Sequence, residues 1–313
     1  MQDGKSIISG WSDGKIRAFL PQSGKLLYVI NDAHNHGCTA VTATSDCQRI
    51  ISGGAEGEIR VWRITKQTQI MEASLKEHRG RVWSIQISKD NCQAISASGD
   101  GSCIIWDIKN SSRVLCFFES TSFKQALFNP EEYQVLTVSS DHKVHYWEKF
   151  DGQIIRSIEG SDKELSTCDI FQEGKHFITG GQDGQLRIWS YDEGLCEFEG
   201  EGHSGSIIKV KISPDQRTII TVGSEGAVFF WHVPEALCKN QVEQKMPVKE
   251  ESKAPSVKSS VKGSVKGSVK SSKKWFYSFI NFEYKCNNED REEKNWNYIL
   301  NIVDHKIKLS KEM

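Results

Sequence analysis

Residues His78–Asn110 read HRGRVWSIQISKDNCQAISASGDGSCIIWDIKN. Three strand-like runs lie in this stretch, Val82–Ser88, Ala94–Ser98 and Ser102–Ile108, and a fourth follows at Val114–Glu119. Turn residues part them: Lys89–Asn91 after the first run, Gly99-Asp100-Gly101 after the second. Ile104-Ile105-Trp106 is continuously apolar, as a strand covered on both faces has to be. One unit is therefore four short strands joined by tight turns.

The unit recurs in both directions. Aromatic residues closing an apolar strand stand at Phe19, Trp62, Trp106, Trp147, Trp189 and Trp231, in steps of 43, 44, 41, 42 and 42 residues. Ten residues before each is a hydroxyl: Ser9, Ser52, Ser96, Thr137, Thr179 and Thr221. Six residues before each is an acid: Asp13, Glu56, Asp100, Asp141, Asp183 and Glu225. Two offsets kept through six units define an internal repeat. A lone four-stranded sheet of this kind has two apolar faces and cannot bury both; blades stacked around an axis do so and protect the sheet edges. The sequence thus predicts an all-β fold, a propeller of four-stranded antiparallel blades over residues 1–233.

Composition fits a folded core with little long-range charge. Hydrophobic residues make up 37% of the 313, charged residues 26%, and the net charge is −1, which advertises neither nucleic acid nor membrane as partner. No apolar run approaches the roughly 18 residues of a membrane span, and no signal peptide opens the chain. The nine cysteines include no CxxC pair. Cys103 and Cys168 lie within apolar runs, so they read as small core hydrophobes and the chain as one from a reducing compartment, the cytoplasm.

Three motifs suggest chemistry and fail on context. Gly10-Trp11-Ser12-Asp13-Gly14 has the form of a nucleophile elbow, yet a strand, Lys15–Phe19, follows where a helix is required. His142 and His145 share a metal-like spacing only on a helix; on a strand they face opposite ways. Gly4-Lys5-Ser6 resembles the end of a phosphate loop but leads into a strand. No catalytic, metal or cofactor site is expected.

Period, aromatic and upstream acid together resemble the WD-repeat family, with Trp106-Asp107 the one intact Trp-Asp pair. The resemblance implies a structural tetrad of histidine, hydroxyl, acid and tryptophan that holds each blade and performs no chemistry. It maps to His34, Ser52, Glu56 and Trp62; to His78, Ser96, Asp100 and Trp106; and to His203, Thr221, Glu225 and Trp231. The fourth and fifth units offer Thr137, Asp141 and Trp147, and Thr179, Asp183 and Trp189, without a histidine, so shorter networks are expected there. Within the family, Asp3–Asn31 and Gly202–Asp215 are similar to the cilia- and flagella-associated members of motile axonemes. That likeness implies an interaction scaffold in the lumen of doublet microtubules near the inner junction, with tubulin and other luminal proteins as partners and no small-molecule substrate. Another use of such propellers is as substrate receptors of cullin-type ubiquitin ligases. Those often carry Trp-Asp-x-Arg; here Trp106-Asp107-Ile108-Lys109 puts lysine in the arginine place, and the two do not donate alike.

The ends depart from the repeat. The first unit shows a second, third and fourth strand only, and the last stops after its third at His232-Val233. Since the family commonly closes with seven blades, the expectation is about six blades, the outer two incomplete, of a seven-bladed ring. Beyond Pro234 the composition shifts. Residues 234–274, with the acid-free repeat VKSSVKGSVKGSVKSSKK at Val257–Lys274, read as a disordered linker, and 275–313 as an aromatic and charged tail of uncertain structure.

Overall fold

The computed structural model describes residues 1, 3–65, 68–234 and 236–237, and the backbone of 277–279. Six antiparallel sheets follow one another along the chain. Blade 1 holds β1 (Ile7–Gly10), β2 (Ile16–Phe19) and β3 (Leu26–Ile30). Blade 2 holds β4 (Cys38–Ala43), β5 (Arg49–Gly54), β6 (Ile59–Ile64) and β7 (Gln69–Leu75). Blade 3 holds β8 (Val82–Ile87), β9 (Gln93–Ser98), β10 (Ser102–Asp107) and β11 (Ser112–Phe118). Blade 4 holds β12 (Phe123–Phe128), β13 (Gln134–Ser139), β14 (Lys143–Glu148) and β15 (Ile154–Glu159). Blade 5 holds β16 (Leu165–Ile170), β17 (His176–Gly181), β18 (Gln185–Ser190) and β19 (Cys196–Glu201). Blade 6 holds β20 (Ile207–Ile212), β21 (Thr218–Gly223), β22 (Val228–His232) and β23 (Tyr277–Phe279). The described residues form a six-bladed β-propeller.

Two expectations about the ends need amending. Blade 6 has a fourth strand, because β23 pairs antiparallel with β22, Trp231 opposite Tyr277 and Phe229 opposite Phe279. Local sequence reading misses it because more than forty residues separate the two strands. Packing also runs past Val233: Leu237 is buried and joins Val233 and Trp231 in one cluster. The remaining expectations for residues 234–313 lie outside the described residues. Blade 1 has the three strands read from the sequence.

The core is divided among the blade interfaces. Ala40, Ile51 and Val61 of blade 2 meet Val82, Ala94, Ile104 and Trp106 of blade 3. Ile95, Cys103 and Phe117 of blade 3 meet Phe123, Val135 and Trp147 of blade 4, with the rings of Phe117 and Trp147 5.2 Å apart. Each blade therefore buries its faces only against its neighbours, and burying such side chains contributes about 1.5–3 kcal/mol each.

The inner strands have an edge with no further strand beside it, and side chains of the preceding blade satisfy it. Ala126 and Phe128 donate their backbone N–H groups to Ser84 Oγ (3.3 Å) and Gln86 Oε1 (2.7 Å). Val210 and Ile212 donate likewise to Thr167 Oγ1 (3.1 Å) and Asp169 Oδ2 (2.8 Å). In the turns after the inner strands the direction reverses. The N–H groups of Ser45, Lys89 and Gln172 donate forward to Asn91 Oδ1 (2.8 Å), Glu132 Oε1 (2.6 Å) and Gln216 Oε1 (2.9 Å). These three acceptors all sit in the left-handed region, with φ of 60°, 60° and 59°.

Every inner strand from β4 onward also carries a β-bulge at its second residue: Thr39, Trp83, Lys124, Ser166 and Ile208. A bulge re-aims the side chain it carries. All five lie at the end of the strand that adjoins the histidine-bearing loops.

Candidate interaction face and its hydrogen-bonded anchors

Two sets of loops make up one face of the propeller: those entering each inner strand, and the hairpins between second and third strands. Beneath them stand the six hydroxyls, Ser9, Ser52, Ser96, Thr137, Thr179 and Thr221, none with any exposed surface. Each accepts an indole N–H. Trp62 donates to Ser52 at 3.0 Å, and Trp106, Trp147, Trp189 and Trp231 donate to Ser96, Thr137, Thr179 and Thr221 at 2.8 Å. In blade 1 Phe19 has no N–H, and Trp11, from the hairpin, donates to Ser9 at 2.8 Å instead.

The histidine arm is complete in three blades. His34 places Nδ1 2.7 Å from Glu56 and Nε2 2.9 Å from Ser52. His78 Nε2 lies 2.7 Å from Ser96, and its Nδ1 lies 3.3 Å from Asp100 and 2.8 Å from Ser102 Oγ. His203 bonds Glu225 through Nδ1 and Thr221 through Nε2, the latter at 2.6 Å.

Blades 4 and 5 lack that histidine and fill the gap differently. In blade 5, Ser161 stands at the histidine place and donates to Asp183 at 2.8 Å, while Arg187 pairs with the same carboxylate. In blade 4, His145 reaches Asp141 from β14 with Nε2 at 3.0 Å and bonds Ser157 Oγ through Nδ1 at 2.7 Å. Both ring nitrogens of His145 are thus engaged within the blade. Ser102, Ser157, Ser161, Trp11 and the bond from His145 to Asp141 escaped the sequence reading, which places His145 on a strand as found. Only Ser161 had a sequence signal, its place eighteen residues before Thr179.

Electrostatics follow from these contacts. Burial opposes ionisation of Asp100, but His78, Ser102 and the backbone N–H groups of Arg79 and Ser102 outweigh it and hold the carboxyl well below its usual range. Burial pushes the His34 imidazole below its ordinary value, against the opposing pull of Glu56. A network in which each hydroxyl is fully buried offers a substrate no approach. Ser12, of the elbow-like motif, lies in the turn between β1 and β2.

On the opposite face, at the far ends of β8, β12 and β16, lies a cavity of about 150 Å³ lined by Ile87, Leu127, Phe128, Pro130 and Ile170. Its acids are engaged: Asp169 with Lys211 and Glu132 with the Lys89 N–H. Cofactor pockets run to about 300 Å³ and more, and this cavity falls below that range. Among the described residues no three His, Cys, Asp or Glu side chains gather to hold a metal.

Comparison with known proteins agrees with the geometry. The WD40 family (WD domain, G-beta repeat) matches residues 24–63, 70–107, 152–190 and 194–232. The unmatched stretch between the second and third of these includes the first three strands of blade 4, where the histidine arm is rebuilt. Cilia- and flagella-associated protein 52 of Mus musculus is 51% identical over 189 residues, 60% of this chain and 30% of that protein. Its counterpart in Chlamydomonas reinhardtii is 47% identical over 187 residues, 59% of this chain and 30% of that protein. The guanine nucleotide-binding protein subunit beta of Saccharomyces cerevisiae is 24% identical over 198 residues, 60% of this chain and 46% of that protein. The chain spans about 30% of the length of these ciliary relatives. With the period, the tryptophan-to-hydroxyl bond in five blades and the family match in agreement, the chain belongs to the WD40-repeat family, and its relatives include cilia- and flagella-associated proteins.

Proposed function

We propose that this chain is a non-catalytic interaction scaffold of the motile axoneme, held on the luminal wall of doublet microtubules near the inner junction. Tubulin and neighbouring luminal proteins are its partners, and it takes no cofactor or small-molecule substrate. The observation that carries this reading is identity near 50% to cilia- and flagella-associated proteins of organisms as far apart as mouse and Chlamydomonas. In this reading the tetrads are braces: they satisfy buried polar groups that would otherwise cost about 1–3 kcal/mol each, and so fix the loops above them. Rigid loops suit a lattice protein, which gains avidity from several simultaneous weak attachments.

The experiment is fractionation of motile cilia carrying a tagged full-length protein. The tag is expected to stay with the axoneme when detergent removes membrane and soluble matrix, and to resist salt that strips the outer microtubule surface. Release into the detergent-soluble fraction overturns the axonemal reading; release by salt alone overturns the luminal one.

A further inference from the structure

In blades 3, 4 and 5 the inner strand fastens its successor with side-chain acceptors: Ser84 and Gln86, then Gln125, then Thr167 and Asp169. Blade 6 puts Lys209 and Lys211 at the places of Thr167 and Asp169. Alternate residues of β20, they share one side of the strand about 7 Å apart. An ammonium donates only, and both side chains turn back along the ring. Lys211 Nζ lies 2.9 Å from Asp169 Oδ1 in blade 5. Lys209 reaches past blade 5 and donates to Gln125 Oε1 of blade 4 at 2.6 Å.

Donors crowd that one amide oxygen. Gln125 Oε1 also accepts from Thr167 Oγ1 at 3.0 Å and from the Cys168 N–H at 3.4 Å. Asp169, the acid that acts on Lys209, is shared by Lys211 and the Ile212 N–H. Lys209 is therefore a partly buried amine held by a neutral amide, with a second ammonium beside it. Burial and Lys211 lower it to about 8, so about half of it is free amine near pH 8. A desolvated lysine next to another cation is a setting in which this side chain becomes a nucleophile. The surroundings also select the electrophile. It has to be small and uncharged to reach a partly buried amine, and its product has to accept hydrogen bonds, because the neighbouring Lys211 and Thr167 donate them. Carbon dioxide meets both conditions.

We propose that Lys209 is a modification site that takes up carbon dioxide reversibly as a lysine carbamate. The free amine attacks the carbon of carbon dioxide. An N–C bond forms, one C=O electron pair moves onto oxygen, and the nitrogen releases a proton to water. Nothing is oxidised and no group leaves, so the reverse step returns the amine and the gas. The charge at Lys209 changes sign, and Lys211 gains an anionic neighbour in place of a cationic one. The chain turns nothing over in this step, and the inference does not depend on the axonemal placement.

The test is chemical trapping on the full chain. The protein is equilibrated with carbon dioxide and bicarbonate near pH 8, treated with triethyloxonium ion, which ethylates carbamates, then digested and read by mass spectrometry. Ethyl carbamate is expected on Lys209 at an occupancy about tenfold or more above that of Lys76, whose side chain is 72% exposed. In urea the two lysines are expected to become equal. Lys211→Gln should lower trapping at Lys209 several-fold, since it removes the cation that favours both the free amine and the carbamate. Isotopically labelled carbon dioxide should give a carbamate carbon resonance that Lys209→Arg abolishes and Lys76→Arg leaves unchanged, with near-ultraviolet circular dichroism checking the fold of each variant. Absence of ethyl carbamate from Lys209, equal occupancy of Lys209 and Lys76 in the folded chain, or trapping untouched by Lys211→Gln overturns the proposal.

Discussion

The carbonyl oxygen of His34 lies 1.8 Å from the point where a Cβ on Gly14 would stand. Gly14 is the hairpin glycine of blade 1, with φ of 76°, and His34 opens the loop of blade 2. The relation repeats one blade on, where His78 O lies 2.5 Å from a Cβ on Gly57. The hairpin of one blade is thus a seat for the histidine loop of the next. Gly14→Ala and Gly57→Ala are expected to destabilise by about 2–4 kcal/mol, combining left-handed strain with overpacking against backbone. Gly24→Ala, at φ of 66° with nothing within 4 Å, carries the strain alone, about 1–2 kcal/mol. Urea melts of the three variants give the ranking directly.

The anchors make a second graded series. Trp106→Ala is expected to cost about 3–5 kcal/mol for an emptied buried site. His78→Ala should cost about 1–3 kcal/mol, since Asp100 and Ser96 each lose a partner. Trp11→Phe removes the one indole N–H that reaches Ser9 and should cost about 1 kcal/mol. Ser12→Ala, in a turn, should be nearly silent. Melts that placed Ser12→Ala above Trp106→Ala would mean the strand register is wrong.

Acid weakens the fold in two stages. His34 is held below its ordinary value of 6.5, so the unfolded chain takes up that proton first; the stability present above pH 6.5 is lost as pH falls through the lower folded value. Glu58 resists burial through Arg60, Ser74 and Lys76 and titrates at about 2 instead of 4.5. Its contribution is whole above pH 4.5 and disappears between there and about 2. His34→Gln should flatten the melting temperature as pH falls below 6.5 while leaving the lower stage in place.

Alkali acts the opposite way through Lys209. Burial, with Lys211 beside it, lowers this amine from 10.5 to about 8, and its ammonium donates to Gln125 Oε1 at 2.6 Å. Between pH 8 and 10.5 the unfolded chain keeps a proton the folded chain has shed, so stability rises with pH across that window. Lys209→Met should abolish the rise and lift the melting temperature by a few degrees at pH 7. Thermal melts from pH 7 to 10.5 decide this; an unchanged slope in the variant rules out Lys209 as its source.

Much of this architecture could be read in advance because it is periodic. One register, hydroxyl to tryptophan at ten residues, placed five of the six indole bonds. The departures are cases in which a partner arrives from outside the register. Trp11 replaces the donor Phe19 cannot supply, His145 reaches Asp141 from a strand instead of a loop, and β23 pairs with β22 from more than forty residues away. Trp83 stayed hidden for a different reason. Trp83 falls outside the ten-residue register and bulges leave no mark in an apolar pattern, so neither signal foretells that its side chain is 39% exposed.

The crossed fastening between blades has a bearing on synthesis. The chain leaves the ribosome with Ser84 and Gln86 before Ala126 and Phe128, so an emerging inner strand meets acceptors already in place. The N–H of Lys89, however, waits for Glu132, 43 residues later in the sequence. At about 5–20 residues per second, that interval is roughly two to nine seconds. Blade 4 therefore starts on a template left by blade 3, and blade 3 is locked only once blade 4 has emerged, which makes translation speed a determinant of how long that part of the propeller stays half-fastened.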